Sequence, residues 1–152
     1  MTRIIVRKML EDDLPVVSEL AMLANPHAVK EKYREHIVAE LRNNPDLSFV
    51  ATVEGKVVGY VQAEVCDNEE ALLEDIAVAK EWQERGVGKR LLNKEVVVLR
   101  QKGAQLLLAE VHHKCASAIP FYYKHDFRIS GFSQDYFGIG HDAVILKRIL
   151  RK

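Results

Sequence analysis

The sequence predicts a mixed α/β fold, α+β in the way it combines hairpins with helical crossovers, over one domain spanning residues 1–152. Three observations predict it. At 152 residues, 48% of them hydrophobic and 29% charged, the chain can bury one sizeable core and is too short for two ordinary domains. Strand-like and helix-like runs alternate in the order βααββ, then βαβαββ. Tight turns join some strands and helices join others, so a single mixed sheet with helices on both faces is expected. No internal repeat, low-complexity tract or linker interrupts this order.

Each element has its own signal. Residues 3–7, RIIVR, read as a first strand. Asp12 then serves as a plausible N-cap for a helix that carries Leu14, Val17 and Ala21 on one face. Asn25-Pro26 signals a second helix start, and Val29, Tyr33, Ile37 and Leu41 recur at helical spacing up to the break at 43–45. Glu54-Gly55 joins two runs rich in β-branched and aromatic residues, which predicts a hairpin. ALLEDIAVA is a further strand. Val87, Leu91, Leu92, Val96 and Leu99 predict a helix over 87–102, stopped by Gly103. AQLLLAEVHH suits a strand covered on both faces, ASAIPFYYKHD a short helix with Pro120 near its start, and FRISGFS and DAVILKRI two closing strands.

Composition excludes several function classes. Lys plus Arg and Asp plus Glu both number 22, so no charge excess draws the chain to nucleic acid or to an anionic membrane. The first residues lack a secretory leader and no run of about 18 apolar residues occurs, so the cytoplasm is expected. Cys66 and Cys115 stand far apart and read as two reduced thiols. His112, His113, His125 and His141 lack metal-ligand spacing, and an adjacent pair such as His112-His113 would point to opposite sides of a strand, so no metal is expected. His27 and His36 are expected on the surface of the second helix.

QERGVGKR at 83–90 is the local feature that bears chemistry. Walker A fails because Gln83 stands where its first Gly belongs and Arg90 follows Lys89. The dinucleotide fingerprint fails at Leu91. What remains is Gln83-x-x-Gly86-x-Gly88 between a strand and a basic helix. Glycines let backbone approach a ligand closely, and a helix N-terminus adds partial positive charge, so the turn suits a pyrophosphate. LLEDIAVAKEWQERGVGKRLL resembles the acetyl-coenzyme A (acetyl-CoA) segment of the GNAT family of N-acetyltransferases, and the element order is similar over nearly the whole chain.

That resemblance implies a mostly antiparallel sheet of six to seven strands with about four helices, splayed at the cofactor site. It implies acetyl-CoA as acyl donor and no metal. Ile76, Ala77 and Val78 would pair with the pantetheine amides and the acetyl group. Gln83, Glu84, Arg85, Gly86, Val87, Gly88 and Lys89 would surround the pyrophosphate, with Arg85 and Arg90 largely solvated. Tyr122, near the end of the helix after the fifth strand, would face the coenzyme sulfur, with Tyr123 one step off that face. A phenol with a pKa near 10 can give its proton to a departing thiolate.

Glu110 lies twelve residues before Tyr122, a separation that resembles the base and acid of N-terminal acetyltransferases. Burial in an apolar run would raise a carboxylate toward the working range of a base. Glu74 and Asp75 are alternative bases, one on each strand face, with Glu74 favoured because alternation puts it beside Ile76 and Val78. A water chain could replace a direct base. The family often has Asn where this chain has Cys115, so either Ser117 takes over that contact with the cofactor arm or the pocket is rearranged.

The acceptor implied is a primary amine. Tyr136, Phe137 and Asp142-Ala143 resemble the peptide-walling hairpin of ribosomal-protein alanine and other N-terminal acetyltransferases, and Glu74 would line the same site. A peptide or protein N-terminus is therefore expected, also because an α-amine near pKa 7.7 to 8.0 keeps more of its neutral form than lysine does. The chain-wide charge balance argues against a polycationic antibiotic. A small amine or amino acid, or a non-catalytic acetyl-CoA-binding module, are the alternatives. The resemblance also allows a homodimer.

Overall fold

The computed structural model describes residues 2–150. Seven strands, β1 (Ile4–Lys8), β2 (Ser48–Val53), β3 (Lys56–Val65), β4 (Glu70–Val78), β5 (Leu106–His112), β6 (Arg128–Ser133) and β7 (Ala143–Ile149), form one sheet in the order β1-β2-β3-β4-β5-β7-β6. All neighbours are antiparallel except β4 and β5. Four helices, α1 (Leu14–Ala24), α2 (Lys30–Asn43), α3 (Val87–Gln101) and α4 (Ile119–Lys124), supply the crossovers.

Apolar periodicity decides which face each helix covers. Leu14, Val17, Leu20 and Ala21 of α1 and Ile37 and Leu41 of α2 pack with Val50, Tyr60, Ala77 and Ala79 on one face. Leu91, Leu92, Val96 and Leu99 of α3, with Tyr122 of α4, pack on the other against Phe49, Val61, Leu73 and Leu107. Glu95 lies in the buried stripe of α3.

Two helix starts differ from the sequence expectation. Asp13 rather than Asp12 precedes α1, after a 3-10 turn over Glu11–Asp13; its carboxylate accepts from Leu10 N–H at 2.8 Å and from both ends of the Arg7 guanidinium. Asn25-Pro26 closes α1 instead of opening α2. Asn25 N–H ends α1 on Ala21 C=O and Ala28 N–H returns to Asn25 C=O, so Pro26 occupies the second position of a turn and α2 waits until Lys30.

Two irregularities shape the middle of the sheet. β4 pairs with β5 only from Glu70–Leu106 to Leu73–Ala109; beyond that β4 stays on β3 while β5 stays on β7, and the two strands part. Gln62 faces Asp75 but Ala63 faces Leu73, so Glu74 is the extra residue of a bulge.

Candidate active site

The parted strands leave backbone groups facing a gap. Ala79 N–H donates to Val58 C=O at 2.8 Å, which fixes the alternation: Ala77 spends its backbone pair on Tyr60 of β3, while Ile76 and Val78 turn theirs to the gap. Two of those groups already have partners. Ile76 N–H donates to Asp75 Oδ1 at 3.0 Å, and the Gln83 side-chain amide donates to Val78 C=O at 3.0 Å. Ile76 C=O and Val78 N–H remain for a ligand that completes the sheet.

The turn after β4 fits an anionic group. Glu84 (φ 61°) and Gly86 (φ 86°) are both left-handed, an arrangement that curls successive N–H groups toward one side. A Cβ added at Gly86 would meet nothing within 4 Å, so the approach is open there. Gly88 is small for a different reason. A Cβ at that position would stand 2.9 Å from Phe121 Cε1, so it lets α3 and α4 come together. Lys89 and Arg90 are exposed, and Arg85 lies over the Trp82 ring at 4.9 Å. The acetyl-CoA expected here matches the gap, the free strand groups and the N–H-rich start of α3.

Tyr122 is buried against Phe121 and Phe127. Burial first, then the charges of Asp75 and Cys115, push its phenol well above the usual range, so it stays protonated. Glu110 belongs to a second group. Its carboxylate, more than burial, pushes the exposed Tyr136 phenol up to about 12, with Glu74 adding to the effect. Thus the structure sets Tyr122 beside Asp75 and Cys115, and Glu110 beside Tyr136.

Glu74 and Asp75 do not divide between the faces as alternation suggests. The bulge turns both to the α2 side: Glu74 accepts from His36 Nε2 at 3.1 Å, and Asp75 meets Tyr33 and Tyr60, while Ile76 and Val78 pack with the α3 core. Glu64 abuts Glu74 and has its pKa raised by that contact and by burial. His36 Nε2, Glu40 and Glu74 bring ligand-type atoms within 4.8 Å of one another, a grouping that their sequence spacing did not reveal.

The histidines also differ from expectation. β5 ends at His112, so His113 starts a 3-10 turn and the two rings stack at 4.5 Å instead of pointing apart. His27 lies before α2, not on it, and stacks on His112 at 3.8 Å. His112 Nε2 is 2.8 Å from His141 Nδ1, and burial, with the neighbouring imidazoles, lowers the His112 pKa to about 4. Cys115 faces Ala24 C=O at 3.5 Å and His27 Nδ1 at 3.7 Å, and burial raises its thiol, which disfavours a thiolate nucleophile. Ser117 is exposed in the same turn. Tyr123 is exposed with Arg128 over its ring, and Phe137 reaches the histidine stack at 5.6 Å from His112.

Comparison with known proteins agrees with this geometry. The model of the acetyltransferase (GNAT) family matches residues 14–127. Streptothricin acetyltransferase A of Bacillus subtilis is 35% identical over 82 residues, 54% of this chain and 47% of that protein, so the match spans about half the length of that relative. The [ribosomal protein bS18]-alanine N-acetyltransferase of Escherichia coli is 28% identical over 137 residues, 88% of this chain and 89% of the relative. Among solved structures, Ard1 from Thermoplasma volcanium superposes with a TM-score of 0.88 at 24% identity, covering 98% of this chain and 99% of that one, which bears on the fold. With three quarters of its length in the family match and with strands that part ahead of the glycine turn, the chain belongs to the GNAT family of acetyltransferases and is an N-acetyltransferase.

Proposed function

We propose that this N-acetyltransferase moves the acetyl group of acetyl-CoA directly to the α-amine of a peptide or protein N-terminus. The parting of β4 from β5 beyond the Leu73–Ala109 pair, with Tyr122 buried beside it, is the observation that carries the reading. Val78 N–H and Ile76 C=O are the strand groups that would pair with the pantetheine arm, and residues 83–89 would cradle the pyrophosphate, Lys89 adding charge. Ser117 would take the contact that an Asn makes elsewhere in the family. Bound there, acetyl-CoA supplies an activated thioester.

The chain's own residues then handle protons and approach. Tyr122, kept protonated by its surroundings, is the acid for the departing thiolate. Glu110 is the base for the acceptor ammonium, directly or through water, and Tyr136 with Phe137 and Glu74 walls the amine's approach. The cytoplasm suits this chemistry and the two free thiols, Cys66 and Cys115.

A small polycationic amine is the second reading. The group of Glu64, Glu74 and Glu110 favours it, since local charge outweighs the chain-wide balance within a Debye length of about 8 Å. The test is a side-by-side assay of thiol release from acetyl-CoA with short peptides bearing free or blocked N-termini, beside spermidine and free amino acids. Acetylation of free but not blocked peptides supports the α-amine. Reaction with spermidine alone selects the second reading.

A further inference from the structure

The connection between α1 and α2 reaches the open part of the sheet through one carboxylate. Asp75 Oδ2 accepts from the Tyr33 hydroxyl at 2.6 Å, from the Asn25 amide at 3.3 Å and from the Tyr60 hydroxyl; Asp75 Oδ1 accepts from Ile76 N–H at 3.0 Å. An ionised carboxylate offers about four lone-pair sites, and four donors fill them. They come from the end of α1, the first turn of α2, β3 and β4 itself. Among the described residues, no Lys or Arg pairs with Asp75.

Burial raises the Asp75 pKa and the four donors oppose it, so a carboxylate filled in this way is a strong tie. Its burial is tolerated because the donor shell is complete, and losing any one donor leaves an enclosed charge short of a partner. Besides Asp75, the connection meets the rest of the fold through a thiol at 3.5 Å from Ala24 C=O and the His27 ring stacked on His112, while an exposed Lys30–Glu19 pair at 2.9 Å joins α2 to α1.

We propose that Asp75 is a positioning residue for acetyl transfer: it locks the α1–α2 wall to β4 where β4 leaves β5, and so fixes where the acceptor amine stands relative to Tyr122. This rests on the amine-acetylating reading above. Asp75 also faces Tyr122 closely enough for its charge to bear on the phenol, so wall and acid share one anchor. Among the side-chain hydrogen bonds of the described residues, none joins the turn at 83–89 to Asp75.

The test compares Asp75→Asn, Tyr33→Phe and the pair combined with wild type, using acetyl-CoA and whichever amine of the panel reacts. Each single variant should raise the acceptor KM by about tenfold or more while the acetyl-CoA KM stays within about twofold. The combined variant should be little worse than Asp75→Asn, since both remove one lock. Amide exchange should rise over residues 24–33 and stay at the wild-type level over 87–101. Tyr33→Phe decides alone if Asp75→Asn does not fold. An unchanged acceptor KM in a folded variant, or equal losses for acceptor and acetyl-CoA, overturns the proposal. If wild type acetylates no amine, the acceptor reading falls while exchange still decides the lock: unchanged protection over 24–33 overturns it.

Discussion

Tyr122 is the residue where environment and proposed role agree most closely. It is buried and near the Asp75 charge, both of which favour the protonated phenol that a thiolate needs. Tyr122→Phe keeps the ring and its packing, so it should leave acetyl-CoA affinity intact and lower turnover by about 10²-fold; the two are measured by titration and by steady-state rate. Turnover at the wild-type level would remove Tyr122 from the chemistry. Glu110→Gln should flatten the acidic limb of the pH profile, and an unaltered limb would move the base elsewhere. Sequence resemblance pointed to Tyr122, Glu110 and Gly86 as candidates. It could not show that Tyr122 sits with Asp75 while Glu110 sits with Tyr136, because Tyr33, Tyr60 and Asp75 are joined by no local spacing.

At the scale of elements, bulges and stripes explain both the successes and the misses. Strict alternation placed Glu74 beside Ile76, and one extra residue in β4 reversed that. Helical periodicity gave α3 correctly, yet says nothing of the polar residue within the stripe. Glu95 is fully buried, neither carboxylate oxygen has a partner, and burial raises its pKa well above the usual carboxylate range. In that situation the folded state holds a proton that the unfolded state releases, so stability falls as pH rises from about 4.5 toward the raised pKa, by up to about 1.4 kcal/mol per pH unit. Glu95→Gln should remove this slope, and Glu95→Leu should stabilise the protein by about 1–3 kcal/mol near neutral pH. Denaturant titrations at several pH values check both; a slope that survives in Glu95→Gln would contradict the assignment. Gly88→Ala should cost about 1–3 kcal/mol through its clash with Phe121, an effect on the α3–α4 contact that needs no ligand.

At the scale of the molecule, the order of strands and helices was legible because hairpin turns, helical periods and Gly stops each carry a local signal. The sheet order, the single parallel pair and the gap that follows it arise from long-range pairing, which the sequence expresses only through resemblance. Chain-wide neutrality concealed the carboxylates gathered at Glu64 and Glu74, since net charge averages over surfaces that never meet. Binding of acetyl-CoA between β4 and β5, with its pyrophosphate on the turn at 83–89, is the claim on which the rest depends. The most direct measurement is unfolding stability with and without acetyl-CoA, in wild type and in Gly86→Asp. Wild type should gain about 2.7 kcal/mol at a hundred times its dissociation constant, and the variant, with a carboxylate in the open approach, should gain none at the same concentration. An equal gain in both proteins would contradict the site.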